Sequence, residues 1–338
     1  MQPPRRQPLT DIALESAAAL QGEATARRKA LDRLRLSEAV FRHLTRAAAI
    51  CVLLALGGVI ASLIDGAMPA FQKFGLGFLV SERWNPVTEI FGALPAIYGT
   101  VVTSLIAIAI AVPVGLMIAF FLTELCPYWL RRPIGIAIEL LAGIPSIIYG
   151  IWGLFVFAPF LQHTLQPFLI DTLGEVPLVG ALFAGPPYGI GTLTAGLILA
   201  IMILPFISSI SRDVFEAVPT VLKEAAYGIG CTTWEVMRNV VLPYARSGVV
   251  GAIMLALGRA LGETMAVTFV IGNAHRISPS LLAPGTTISA TIANEFTEAV
   301  GDLYPSALIA LGLILFIITF IVLAAARYLL ARVSRRIG

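Results

Sequence analysis

The chain has 338 residues, of which 58% are hydrophobic and only 13% are charged. Soluble domains carry about 25% charged residues, so this composition argues against an ordinary soluble enzyme. The apolar residues lie in long blocks, and about 20 such residues suffice for a helix to cross a bilayer. The sequence therefore predicts an all-α polytopic membrane protein with six transmembrane helices. The six blocks are Ala47–Ile64, Ile90–Thr123, Leu140–Ile170, Val176–Ser211, Ser247–Ala274 and Leu303–Ala326.

The segment before the first block divides by composition. Residues 1–26 are rich in Pro, Ala, Gln and Glu and are predicted to form a loose tail. Residues 27–46 place apolar side chains on one helical face among basic residues, which is typical of an amphipathic helix on a membrane surface. A partner-binding segment is the alternative. We then predict a first span at residues 47–65 and a five-span core at residues 90–330.

Positive charge is distributed unevenly between the connections. Nineteen of the 23 Lys and Arg residues fall before the first block, in alternate connections or in the C-terminal tail, and three fall in the other connections. The positive-inside rule then predicts that both termini are cytoplasmic. The basic N-terminal segment also contains acids and precedes a membrane span, which argues against nucleic-acid binding.

Residues for enzyme chemistry are scarce. The chain has no G-x-x-x-x-G-K-[ST] sequence, so it has no phosphate-binding loop for ATP of its own. Its three histidines lack H-E-x-x-H spacing and its three cysteines lack C-x-x-C spacing, so neither pattern supports a metal site. We expect a non-catalytic membrane protein without a bound metal.

Two charged residues stand inside the fifth block. Arg259 and Glu263 are four residues apart, so on one continuous helix they would share a face and could pair. Thr264 and Thr268 extend that face with hydroxyls. A charge at membrane depth costs at least about 2.5–3.5 kcal/mol, and such residues usually face a pathway or a partner. The guanidinium of Arg259 is suited to bind an oxyanion, and Glu263 would compete with the anion for that guanidinium. The alternative is an ion pair that only joins helices. Glu139, another acid in an apolar stretch, is expected at the cytoplasmic interface.

The connection between the fourth and fifth blocks, within residues 212–246, predicts two short helices joined by a turn. Good helix formers at residues 224–226 precede Gly228 and Gly230, which allow a tight turn. A second helix is expected over residues 233–242. Thr232 or Thr233 could cap this helix, Glu235 lies in its first turn, and Pro243 is expected to end it. Such a unit outside the membrane suits docking into a groove of a partner.

The same connection resembles the E-A-A-x3-G-x9-I-x-L-P signature of permease subunits of ABC importers. The matching residues are Glu224, Ala225, Ala226, Gly230, Leu242 and Pro243, and Val240 replaces the Ile. Further segments resemble the PstC-type permeases of phosphate-specific importers, and the resemblance covers roughly residues 46–330. These segments are residues 92–100, 121–125, 134–142, 144–150 and 258–268.

The resemblance implies a type I ABC importer permease in a bacterial cytoplasmic membrane that translocates inorganic phosphate. It implies three partners: a related PstA-type permease, a pair of PstB-type ATPase subunits that bind the ATP and Mg, and an extracytoplasmic PstS-type phosphate-binding protein. The signature connection would insert into the ATPase, and the family's intramembrane Arg and Glu fall on Arg259 and Glu263. A permease for phosphonate, sulfate or molybdate is the nearest alternative. An ion-coupled phosphate transporter would need its own ion site or an inverted repeat, and neither is visible.

Overall fold

The computed structural model describes the backbone of residues 9–177 and 179–335 and the side chains of residues 38–177 and 179–328. Within these residues the chain is helical apart from its connections, and six helical segments are long and apolar enough to cross a membrane. The predicted all-α fold with six spans is therefore confirmed. The six segments are Glu38–Phe74, Leu94–Leu125, Ser146–Leu173, Thr192–Glu216, Thr233–Leu261 and Leu303–Tyr328.

Fourteen α-helices are described. In chain order they are α1 (Leu9–Phe74), α2 (Gly77–Val80), α3 (Leu94–Phe120), α4 (Tyr128–Ala142), α5 (Ser146–Trp152), α6 (Ala158–Phe160), α7 (Gln166–Leu173), α8 (Thr192–Glu216), α9 (Thr220–Gly228), α10 (Thr233–Val236), α11 (Leu242–Leu261), α12 (Met265–Val270), α13 (Ile288–Glu295) and α14 (Leu303–Arg335). Single π-helical turns extend or join several of them, at Phe121–Leu125, Gly153–Phe157, Leu161–Leu165 and Met237–Val241.

The N-terminal helix differs from the sequence prediction. α1 begins at Leu9 and continues without a break past residues 26 and 46, so residues 9–26 are helical and not a loose tail. The physical reason is the abundance of Ala, Leu and Glu in this segment, which are strong helix formers. Residues 1–8 lie outside the described residues, as do the side chains of residues 9–37. The interfacial role of residues 27–46 therefore stays a prediction.

The chain forms two compact units, residues 1–62 and residues 63–338. The first contains only helix among its described residues. The second contains the remaining helices and three hydrophobic cores. The predicted permease core lies within this second unit.

The third apolar block begins in the last turn of α4 and is interrupted before α5. α4 ends at Ala142, and α5 begins at Ser146 after Pro145. The residue before a proline is disfavoured in the helical region, so Pro145 ends the first helix and permits the second to start at a new angle. This break places α4 beside the end of α8 and separates it from the span Ser146–Leu173.

The centre of the second unit is α8, which is the most buried of the six spans and packs against α3 and α11. Small residues permit this close approach. A Cβ atom on Gly115 would lie 2.9 Å from Ile207 Cγ2, and one on Gly196 would lie 2.7 Å from Ile106 Cγ2. In a membrane, such small-residue contacts give van der Waals packing that the hydrophobic effect does not supply. α8 is therefore the fixed element against which the functional side chains are positioned.

Candidate translocation and coupling sites

Arg259 lies in the last turn of α11, and its guanidinium carbon is 4.6 Å from the ring centroid of Phe206 on α8. Phe206 is fourteen residues from the start of α8 and ten from its end, hence about 21 Å and about 15 Å along the helix axis. The guanidinium is exposed on this chain and lies near mid-height of the central helix. Its position is therefore that of a cation deep in the span region.

Glu263 does not pair with Arg259. α11 ends at Leu261 and Gly262 is its C-terminal cap, so the expected continuous helix through both charges is wrong. A four-residue spacing sets two side chains on one face only while the helix continues. Glu263 Oε1 instead accepts a hydrogen bond of 3.3 Å from the backbone N–H of Ala266, in the first turn of α12. Among the described side chains, Arg259 makes no ion pair.

The two threonines also lie beyond the end of α11. Thr264 Oγ1 donates to the Gly262 carbonyl at 3.4 Å, and Thr268 Oγ1 donates to the Thr264 carbonyl at 2.7 Å. Both hydroxyls are thus directed to their own backbone, although each can still accept a hydrogen bond through its oxygen. Their place in a cargo path stays a prediction.

Within the predicted coupling loop, residues 212–246, the end of α8 is followed by α9 and by a turn centred on Gly230. The N–H of Gly230 donates to the Tyr227 carbonyl at 2.9 Å, and the N–H of Cys231 donates to the Ala226 carbonyl at 3.1 Å. These two bonds form a Schellman motif, whose central residue adopts the left-handed region. Gly230 has φ +92°, so the predicted tight turn is present and depends on this glycine.

The second helix of the coupling loop has the expected cap but not the expected end. Thr232 Oγ1 accepts from the Glu235 backbone N–H at 3.4 Å, while Glu235 Oε2 accepts from the Thr232 N–H at 2.8 Å, which is a capping box. The helix then continues past Pro243 through the π turn Met237–Val241 into α11, so the prediction that it ends at Pro243 is wrong. The π turn precedes the proline, which cannot donate a backbone hydrogen bond, and keeps the helix continuous.

The signature residues divide between a surface and a core. Glu224 and Ala225 are exposed, whereas Ala226 packs with Phe215 and Val241 in a hydrophobic cluster. Large apolar side chains of the same loop are also exposed, namely Val221, Leu222, Tyr227, Ile229 and Trp234. A set of exposed apolar side chains of this kind is typical of a docking surface. We call the end of the second unit that contains this loop the coupling end.

A partly buried ion pair connects the coupling loop to the end of α3. Lys223 Nζ lies 2.6 Å from Glu124 Oε1, and the two side chains are only 16% and 11% exposed. Glu124 belongs to the π turn at the end of α3, and 99 residues separate the partners. Arg131 Nη2 donates to the Thr123 carbonyl of the same turn. Sequence reasoning missed this pair, because no local pattern connects the two residues.

Glu139 is held by a cation from another helix. Arg212 Nη2 lies 2.8 Å from Glu139 Oε1, and this contact joins α8 to α4. The same nitrogen lies 3.1 Å from Oδ1 of the neighbouring Asp213. The Arg212 side chain lies directly over Gly135, where a Cβ atom would be 2.6 Å from Arg212 Nη1. Glu139 lies at the coupling end, the end at which sequence analysis expected it.

A second polar cluster lies at the opposite end. Glu295 accepts hydrogen bonds from Trp84 Nε1 at 2.5 Å and Tyr304 Oη at 2.7 Å, and its Oε1 lies 2.7 Å from His275 Nε2. The Trp84 ring stacks on His275 with centroids 5.3 Å apart. Burial alone would raise the pKa of Glu295, yet the hydrogen bonds from His275, Tyr304 and Trp84 hold it below its ordinary value. The cluster ties four separate chain segments together.

Comparison with known proteins places this architecture in a family. Residues 111–335 match the family described as "Binding-protein-dependent transport system inner membrane component". The chain belongs to this family. The match begins within α3 and includes the coupling loop, Arg259 and α14, so the residues discussed above lie largely inside it.

Relatives over nearly the whole chain have a common description. The chain is 68% identical over 320 residues to "Phosphate transport system permease protein PstC" of Mesorhizobium japonicum, covering 95% of this chain and 98% of that protein. It is 60% identical over 298 residues to the protein of the same description from Xylella fastidiosa, covering 88% and 92%. It is 40% identical over 307 residues to "Phosphate transport system permease protein PstC 1" of Mycobacterium tuberculosis, covering 85% and 91%. The resemblance to PstC-type permeases is therefore confirmed.

The fold also matches solved transporters. A bacterial alginate ABC transporter in complex with a periplasmic protein bound to an alginate pentasaccharide contains a chain that superposes with a TM-score of 0.59 at 16% identity, covering 86% of this chain and 95% of that one. A second structure of a bacterial ABC transporter for alginate import gives a TM-score of 0.57 at 17% identity, covering 90% and 99%. These likenesses confirm the type I ABC importer permease fold.

Proposed function

We propose that the chain is the PstC-type permease subunit of an ATP-driven importer and translocates inorganic phosphate. The observation that carries the proposal is the 68% identity to a PstC phosphate permease over 95% of the chain. The chain would be a non-catalytic half of a gate in a bacterial cytoplasmic membrane, with both termini cytoplasmic. A PstA-type permease would form the other half.

The position of Arg259 supports an anion pathway on the exposed face of α11. An exposed arginine near mid-span is unfavourable against lipid, so this face requires a protein partner or a water-filled path. Arg259 is not neutralised by an acid among the described side chains, and its forked donors suit the oxygens of phosphate. The guanidinium carbon lies over the Phe206 ring in a cation–π contact, which uses none of the N–H donors of Arg259 in a hydrogen bond.

The coupling loop supports the partner assignment. Exposed Glu224 and the apolar side chains around it suit a groove on a cytoplasmic ATPase. That ATPase would be a pair of PstB-type subunits, and those subunits would bind the ATP and Mg. A PstS-type binding protein would deliver phosphate at the opposite end. ATP binding would then favour one arrangement of the two permeases, and the coupling between the ATPase and the cargo site would be reciprocal.

The test is uptake of labelled phosphate by cells whose transporter contains this permease or a variant. Arg259→Gln should reduce uptake to background, because the anion loses its counter-charge, while the binding protein still captures phosphate. Arg259→Lys should rescue only in part, since it keeps the charge without the planar fork. Arg276→Gln, an exposed arginine in a connection, is the matched control and should transport normally. Wild-type uptake by Arg259→Gln, with equal permease in the membrane, would return Arg259 to a packing role.

The same assay separates the alternative functions. Excess sulfate, molybdate or phosphonate should leave phosphate uptake unchanged; strong competition by one of them would identify another oxyanion as the cargo. Inactivating the ATPase partner should abolish uptake, whereas uptake that survives this change and is abolished by an ionophore would indicate an ion-coupled transporter.

A further inference from the structure

An open groove of about 630 Å³ lies between α4 and the end of α8, at the coupling end. Its walls combine three arginines, two glutamates and two aromatic side chains at the start of α4. The lining residues used below are Tyr128, Trp129, Arg131, Arg132, Ile136 and Arg212. Its lining contains neither Arg259 nor any residue of α9, α10 or α11, and neither proposed role uses it.

The arginines of the groove are not all paired with an acid, and Glu216, which also lines the groove, makes no ion pair with them. Arg212 is neutralised by Glu139 and Asp213, whereas Arg132 makes no hydrogen bond or ion pair with any residue that the structure describes. Arg131 is fixed through its Nη2 to the Thr123 carbonyl, and its buried Nε has no partner among the described residues. The exposed Arg132 guanidinium therefore presents unused donors to the groove, and Arg131 adds a second, fixed guanidinium beside it; such forked donors are the recognition chemistry for a phosphate-type anion.

One exposed face of α4 changes character along its length. Trp129, Arg132, Ile136 and Leu140 are spaced by three, four and four residues, so they lie on one face of the helix. Tyr128 is 92% exposed, Trp129 is 73% exposed, and Ile136 and Leu140 are also exposed. Aromatic and basic residues come first and aliphatic residues follow, which is the order of side chains across a membrane interface.

We propose that this groove binds the headgroup of an anionic phospholipid, with Arg131 and Arg132 contacting its phosphate and an acyl chain lying along Ile136 and Leu140. Free phosphate would satisfy the arginines but would leave the aliphatic face uncovered, whereas a phospholipid accounts for both. Basic pockets between helices on the cytoplasmic side commonly bind such headgroups. The proposal rests on membrane insertion of the chain and not on its cargo.

The first experiment measures phosphatidylglycerol retained by the purified full-length chain, using mass spectrometry of the intact protein–lipid complex. Each arginine near an anionic lipid strengthens binding several-fold, so the double variant R131Q/R132Q should retain about thirtyfold less. R238Q, which removes an exposed arginine elsewhere at the coupling end, is the matched control and should retain the wild-type amount. Equal loss in both variants, or no loss in either, would overturn the proposal. Displacement of the lipid by excess inorganic phosphate would also overturn it.

A second measurement does not depend on the folding of the double variant. Phosphatidylglycerol brominated on its acyl chains should quench the fluorescence of wild-type protein more than brominated phosphatidylcholine does, because Trp129 lines the groove. The difference should disappear in Trp129→Phe, and equal quenching by the two lipids would refute an anionic lipid site. The assembled transporter should show the same difference. Quenching of the isolated chain alone would mean that a protein subunit covers the groove instead.

Discussion

The ion pair between Lys223 and Glu124 gives the sharpest test of how the coupling loop acts. Replacing Lys223 with Gln leaves Glu124 as an unpaired carboxylate that is only 11% exposed. Breaking a buried pair by removing one partner costs about 3–5 kcal/mol, and the lower end applies here because both side chains keep some access to solvent. About 3 kcal/mol corresponds to a change of about a hundredfold in the ratio of docked to undocked α9.

The assay is ATP hydrolysis and labelled-phosphate uptake measured in parallel, with the permease in proteoliposomes together with its partner subunits. Lys223→Gln should still permit ATP hydrolysis but should lose most of its stimulation by the loaded binding protein, and uptake should fall with the stimulation. The physical reason is that closure of the ATPase would move α9 without moving α3. The charge swap Lys223→Glu with Glu124→Lys should restore both activities.

A second ion pair supplies the control. Lys73 Nζ and Glu89 Oε2 are 3.3 Å apart at the opposite end, with side chains 48% and 57% exposed. Surface pairs contribute about 0–1 kcal/mol, so Lys73→Gln should leave coupling unchanged. The reasoning fails if Lys223→Gln behaves like Lys73→Gln, or if the charge swap is as inactive as the single variants.

Three further predictions concern the turn of the coupling loop, the acid stability of the Glu295 cluster and the membrane topology. Gly230→Ala should destabilise the coupling loop by about 1–2 kcal/mol because Gly230 has a positive φ, and it should reduce stimulated ATP hydrolysis. Gly228→Ala is the control and should be neutral, because a Cβ atom there also meets open space but φ is in the ordinary helical range. The low pKa of Glu295 means that its stabilising effect is complete above about pH 4.3 and is lost as pH falls through the folded-state pKa; Glu295→Gln should therefore flatten the acid side of the thermal-stability profile in detergent. A reporter at the C terminus should be cytoplasmic and one inserted at Gly174 external, and finding both on one side would contradict the six-span topology.

Much of the architecture could be predicted because it depends on local or cumulative signals. Long apolar blocks identify six spans, and the requirement for a left-handed residue identifies Gly230 in the turn. Contacts between distant segments have no such signal. The pairing of Lys223 with Glu124 requires the fold to bring α9 to the π turn after α3, and the contact of Arg259 with the Phe206 ring is set by the packing of α11 against α8. Neither can be inferred from spacing.

The separation of Arg259 and Glu263 shows how a local rule fails when a helix ends. Arg259 lies in the last turn of α11, where the helix dipole favours a cation, and Glu263 lies beside the first turn of α12, where it favours an anion. Each charge is thus compensated by a helix end and not by the other charge. We therefore expect the thermal-stability effects of Arg259→Gln and Glu263→Gln to add in the double variant, within about 0.5 kcal/mol. Strong coupling between the two would show that they pair in the resting state and that Arg259 must be released before it can contact an anion.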